Sequence, residues 1–132
     1  MTRETVNAPG APAAVGPYVH AVKAGDFVFT SGQLGLDPAT GTLPEGVRAQ
    51  AEQAIKNIET VLGEAGCTLA DVVKTTVFLA DINDFAAINE VYAKFFTGET
   101  PARSCVQAAA LPKGGLFEIE VVAVQSGKGE IR

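Results

Sequence analysis

The chain is short of basic charge, of histidine and of cysteine: ten Lys and Arg stand against fifteen Asp and Glu, for a net charge of −5, with one histidine and two cysteines in 132 residues. Each shortage closes a class of function. Without a basic stripe to neutralise a phosphate backbone, nucleic acid is not an expected partner. The lone histidine, His20, and two scattered cysteines cannot supply the four close ligands of a structural zinc site, and nothing points to a carboxylate-only site, so no metal is expected. Cys67 and Cys105, in Ala-Gly-Cys-Thr and Arg-Ser-Cys-Val, read as packing positions in a reducing compartment rather than as a disulfide. No segment approaches the roughly 20 consecutive apolar residues of a membrane span. Met1 to Gly10 holds no apolar signal-peptide core, so no membrane contact and a cytosolic location are expected. The phosphate-cradling patterns G-x-x-x-x-G-K and G-x-G-x-x-G are absent, as is a G-x-S-x-G elbow. Nucleotide cofactors and covalent Ser-His chemistry drop out, and no cofactor is expected.

What is present is a foldable core. With 47% hydrophobic and 19% charged residues, no repeat and no break in composition, residues 1–132 read as a single domain. After a Pro/Ala-rich arm, Val19 to Val22 and Phe27 to Thr30 form a hairpin about Lys23-Ala24-Gly25-Asp26. Apolar residues then recur at Val47, Ala51, Ile55, Ile58, Leu62 and Ala65 before Gly66, which predicts a long amphipathic helix. Val72 to Ala80 alternates as Val73, Thr75, Val77 and Leu79, a strand. Asp81 to Asp84 offers caps for a second helix carrying Phe85, Ile88, Tyr92 and Phe95, which ends near Gly98. Ser104 to Leu111 and Leu116 to Gln125 are two further strands about the turn Pro112-Lys113-Gly114-Gly115.

The order β-β-α-β-α-β-β, with only two helices, predicts an α+β fold with both helices on one face of a mixed sheet. In the last strand Phe117, Ile119, Val121 and Ala123 form one parity. The other, Leu116, Glu118, Glu120, Val122 and Val124, is also largely apolar. A face too apolar for water and uncovered by the chain's own helices predicts a homo-oligomer.

Arg103 stands in an apolar context, Thr-Pro-Ala-Arg-Ser-Cys-Val, at the entry to a strand. It reads either as half of an ion pair with Glu118 or Glu120, or as a carboxylate clamp whose planar fork takes both oxygens of a substrate. Glu118 and Glu120, two apart, share one sheet face. They are either a solvated edge or partners for lysines across an interface, or one of them is an acid/base group whose pKa an apolar pocket raises. Tyr18, Ser31 and Asn89 complete the candidates. Each taken singly is ordinary structure, although an asparagine inside a helix runs against propensity. His20, with no second ligand or acid near it, reads as a surface or interface residue.

Several segments in order carry a resemblance: Gly16-Pro17-Tyr18, Thr30-Ser31-Gly32-Gln33, Val73-Lys74-Thr75-Thr76-Val77-Phe78, Pro101-Ala102-Arg103-Ser104-Cys105-Val106, Leu111-Pro112-Lys113 and Glu118-Ile119-Glu120. Nearly end to end, the chain resembles the Rid family of reactive intermediate deaminases (RidA, formerly YjgF). The resemblance implies a chorismate-mutase-like fold and a homotrimer with clefts between neighbouring subunits. It implies a carboxylate-binding role for Arg103 and a water-activating role for Glu118. It places Tyr18, Ser31 and Asn89 in the pocket, with Cys105 lending mainly its backbone and small side chain. The implied activity is that of a 2-iminobutanoate/2-iminopropanoate deaminase, hydrolysing enamines and imines such as those from 2-aminoacrylate to 2-oxo acids and ammonia. The rival is a non-enzymatic module that binds 2-oxo acids or other metabolites in the same inter-subunit pocket. The chain departs from the family pattern in a short segment from Phe96 to Thr100 and at His20, where glutamine is usual.

Overall fold

A computed structural model describes residues 3–125; the ends of the expected unit, residues 1–2 and 126–132, lie outside the described residues. The elements are β1 (Arg3–Val6), β2 (Ala21–Ala24), β3 (Phe27–Thr30), β4 (Gln33–Leu34), α1 (Val47–Glu64), β5 (Val72–Leu79), α2 (Phe85–Phe95), β6 (Ala102–Gln107) and β7 (Phe117–Val124). The expected α+β order is present as β2-β3-α1-β5-α2-β6-β7, with β1 and β4 in addition. All strands join one mixed sheet in the order β1-β2-β3-β7-β5-β6, with β4 also paired to β7. Among the described strands only β5 and β6 run parallel, joined through α2.

The segment read as an arm starts with a strand. β1 pairs antiparallel along β2 from Arg3↔Ala24 to Val6↔Ala21. Its sequence Arg-Glu-Thr-Val buries only Val6, the composition of a charged edge strand, which hides its periodicity. The hairpin turns later than expected: Ala24 pairs Phe27 and the bend falls on Gly25-Asp26, with Gly25 at φ 61, where glycine carries no steric cost. Val19 stays outside β2, its carbonyl taken by the Ser31 hydroxyl at 2.6 Å. β6 stops at Gln107 instead of Leu111, because its ladder partner β5 ends at Leu79.

α1 buries Ala51, Ala54, Ile55, Ile58, Val61 and Leu62 completely. It ends in a glycine cap: Gly66 takes φ 83, Gly66 N–H donates to the Gly63 carbonyl at 3.1 Å, and Cys67 N–H donates to the Leu62 carbonyl at 2.8 Å. These two bonds use carbonyls the helix would leave unpaired. Both helices cover one face of the sheet, meeting Phe117, Ile119, Val121 and Ala123 of β7, all 2% exposed or less. In β5, Thr75, Val77 and Leu79 point into this core as expected, but Val73 does not. A register shift between Val72 and Lys74 turns Val72 inward and leaves Val73 46% exposed, the effect of a β-bulge.

Among the described residues no helix covers the opposite face. Phe29 pairs Val122, Phe27 pairs Val124, and Phe78 pairs Glu118 and Val106. These residues share the uncovered side, where Phe27, Phe29 and Val106 are each 46% exposed. That face is apolar over its β2-β3-β7 half and carries Lys74, Thr76, Ser104 and Glu120 toward β5 and β6.

Candidate functional site

The six candidate residues fall into two groups on opposite sides of the sheet. The first is built where β3 passes into β4. From Phe29↔Val122 to Gln33↔Ile119 the β3–β4 segment advances four residues while β7 advances three, so one extra residue bulges out. Val121 N–H, which would otherwise lose its ladder partner, donates to Thr30 Oγ1 at 2.9 Å. The bulge presents Ser31, whose N–H donates to the His20 carbonyl at 2.9 Å and whose hydroxyl donates to Val19. It also brings Gly32 against Glu118. A Cβ on Gly32 would stand 2.9 Å from Glu118 Cδ and closer still to Oε2, so a side chain there displaces the carboxylate.

Glu118 projects from the uncovered face into a cleft of about 440 Å³, lined also by Tyr18, Gly32, Leu34, Leu36, Pro12 and Lys113. Burial, and secondarily the negative charge of Glu120, raise the Glu118 carboxyl above its ordinary value, which moves a weak base toward neutral working pH. Lys113 holds φ 59, the one non-glycine residue in the left-handed region among those described. The sequence showed only turn composition there, and no signal placed it on the cleft.

The second group lies at the β6 edge on the helix side. Arg103 pairs Thr75 and Cys105 pairs Val77, and both partners are fully buried under the helices. The guanidinium of Arg103 stands 4.7 Å from the Tyr92 ring centroid and 5.3 Å from that of Phe85. Phe85, Asn89 and Tyr92 fall at i, i+4 and i+7, one stripe of α2, so Asn89 sits between the two rings that carry the arginine. Tyr92 is itself fixed by a 2.8 Å bond between its hydroxyl and Thr75 Oγ1. Burial raises the Cys105 thiol, partly offset by Arg103, which suits a packing role. Cation–π seating on two rings orients a guanidinium without consuming its donors, so its fork stays free for a carboxylate.

The ion-pair reading of Arg103 is corrected by register. Arg103 aligns with Thr75 and Glu118 with Phe78, an odd offset that puts the two side chains on opposite faces. The ion pairs among the described residues are Arg48–Glu90 and Lys56–Glu52. Within one chain, therefore, the cation and the carboxylate do not meet.

The family model described as Endoribonuclease L-PSP matches residues 8–125. The chain belongs to this family, the Rid family of RidA and YjgF. The 2-iminobutanoate/2-iminopropanoate deaminase of Capra hircus is 52% identical over 126 residues, 95% of this chain and 92% of that protein. A crystal structure of RidA from the Antarctic bacterium Psychrobacter is 51% identical with a TM-score of 0.89, covering 92% of this chain and 98% of that one. A crystal structure of E. coli TdcF with bound serine is 46% identical with a TM-score of 0.89, covering 93% and 99%.

In this Rid-family chain the placement of His20 overturns the surface expectation. The ring is 5% exposed and bonded at both nitrogens, to Ala8 N–H at 2.9 Å and the Pro12 carbonyl at 2.8 Å. The sequence offered no acid or second ligand as its partner because its partners are backbone groups. Phe85 and Tyr92 were legible only as core positions at helical spacing, and their second role as seats for Arg103 follows from the register of β6 against α2.

Proposed function

We propose that this chain is a 2-iminobutanoate/2-iminopropanoate deaminase, hydrolysing the C=N bond of small 2-imino acids to 2-oxo acids and ammonia. Relatives about half identical over nearly the whole chain carry that name. The observation that carries the reading is the division into two half-sites: Arg103, Asn89 and Cys105 on the helix side of the β6 edge, and Tyr18 and Glu118 on the cleft at β3, β4 and β7, with Ser31 in the adjoining bulge. A homotrimer with each cleft completed by a neighbour's β6 edge unites them. The apolar uncovered face, with Phe27 and Phe29, supplies the surface such an assembly buries.

The chemistry needs few groups. An enamine such as 2-aminoacrylate tautomerises to 2-iminopropanoate, whose carboxylate binds the fork of Arg103 through charge-assisted bonds of about 1.5–3 kcal/mol each. Glu118, ionised, takes a proton from water as the oxygen adds to the C=N carbon. Glu118 returns that proton to the nitrogen, giving the neutral carbinolamine, then takes the hydroxyl proton and passes it to the nitrogen as the C–N bond breaks, so that ammonia leaves and the carbonyl of pyruvate forms. Positioning and proton transfer through Glu118 suffice, the latter worth about 10²- to 10⁴-fold. No metal or organic cofactor enters the balance.

The family description names an endoribonuclease, but a net charge of −5 favours a small anion held by one arginine over a polyanionic strand. The partners are thus small imino and 2-oxo acids, rather than nucleic acid or membrane; among the described residues no helix is long and apolar enough to cross a bilayer. The location is cytosolic, where amino-acid dehydratases release such imines. The test is ammonia and pyruvate release when the protein is added to a serine or threonine dehydratase reaction supplied with L-serine. Wild type accelerates both products and Arg103→Ala falls by at least about 10²-fold in kcat/KM, the loss of two charge-assisted bonds. A wild-type protein that accelerates neither product, yet binds pyruvate through Arg103 with Glu118→Gln unaffected, would establish the non-enzymatic binding module instead.

A further inference from the structure

His20 holds its surroundings by backbone bonds alone. A backbone amide can only donate, so the Ala8 N–H at 2.9 Å from Nδ1 finds a lone pair there, and the ring proton sits on Nε2. That Nε2–H donates to the Pro12 carbonyl at 2.8 Å. The ring thereby clips both ends of residues 8–12, a segment closed on itself by Ala11 N–H donating to the Ala8 carbonyl at 3.1 Å and anchored by buried Ala8 and Ala11. The chain continues from this clip as Pro12, Ala13 and Val15, one wall of the cleft that holds Glu118. On the other side, the His20 carbonyl accepts Ser31 N–H and the neighbouring Val19 carbonyl accepts the Ser31 hydroxyl. One residue therefore ties the cleft wall to the bulge that carries Ser31, with Tyr18 only two positions before it.

We propose that His20 is a positioning residue of the cleft: its neutral, Nε2-protonated ring fixes the wall formed by Pro12 to Val15, and with it Tyr18, against Glu118. It touches no reacting atom. What the clip requires is one acceptor and one donor at the right separation, which a glutamine amide also carries and a leucine does not. The function of the clip rests on the imine reading above, whereas its geometry stands without it, and the experiment separates the two.

The experiment compares wild type, His20→Leu and His20→Gln in imine turnover, together with nitrogen-15 spectra of the wild-type imidazole and hydrogen exchange at Ala8. Expected are one protonated and one bare ring nitrogen assigned to the Nε2–H form, and a protected Ala8 amide. His20→Leu raises KM about tenfold with kcat nearly unchanged, the pattern of lost binding rather than lost chemistry, and His20→Gln restores KM. If wild type turns over no imine, the same variants are titrated with pyruvate, and weaker binding by His20→Leu alone carries the proposal. An Nδ1–H tautomer, a freely exchanging Ala8 amide, unchanged affinity in His20→Leu, or equal impairment in His20→Gln overturns it. Should His20→Leu fail to fold, the spectra, the exchange and the glutamine variant decide.

Discussion

Glu118 and Glu120 project from the same face of β7, two residues apart, and their chemistry differs through their surroundings. Glu120 is exposed at the middle of the uncovered face, while Glu118 is half-buried over Gly32. Burial and the Glu120 charge both raise the Glu118 carboxyl. The folded chain therefore holds a proton on Glu118 at pH values where the unfolded chain has released it, so this group's contribution to stability falls as pH rises through the raised pKa. Catalysis runs the other way, since the base must be ionised. The acid limb of kcat/KM for imine hydrolysis is expected above the ordinary glutamate value of about 4.3. Glu120→Gln should move that limb to lower pH while leaving the plateau rate in place. A limb that stays fixed or moves upward in a pH–rate profile of the variant contradicts Glu118 as the titrating base.

The elements show what the sequence could and could not deliver. α1 and its glycine stop, the core parity of β7 and the second helix were legible, because long periodic segments carry their own signal. β1 was hidden by its charged edge composition, and the inward turn of Val72 by a bulge, which shifts side-chain parity without changing composition. Arg103, Glu118, Tyr18, Ser31 and Asn89 stood out as candidates from the residues themselves, and the family resemblance gave them roles and added Cys105. Their division into two faces was not legible, since it depends on the register of β6 against β5 and of β5 against β7. His20 was misread for a similar reason, its partners being backbone groups brought close by β1 and the β2–β3 hairpin. At this scale the bulge at Ser31–Gly32 is the most exacting feature. Gly32→Ala pushes the flexible Glu118 carboxylate aside rather than breaking backbone packing. Its melting temperature should stay near wild type while kcat falls on the order of 10²-fold, as a displacement of about 1 Å at a reacting group produces. Equal loss of melting temperature and activity would mean that the bulge, not the carboxylate, absorbs the clash.

At the scale of the whole molecule, the described residues cover the sheet with helices on one side only, and the proposed half-sites lie on either side of it. In the proposed homotrimer, oligomer formation and catalysis are one property. Phe29→Asp places a charge on the uncovered apolar face and should convert the proposed trimer to monomer in sedimentation velocity, with loss of turnover despite an intact cleft. A monomer that retains activity would separate the two properties. The claim that each site takes Arg103 from one subunit and Glu118 from its neighbour is tested most directly by co-expressing Arg103→Ala and Glu118→Gln chains, each inactive alone. In randomly mixed trimers about three quarters contain both variants, and each of those has one site of three with both residues intact, so activity should return to about a quarter of wild type. Mixed assemblies that remain as inactive as either parent would contradict the shared site and put both residues to work within a single chain.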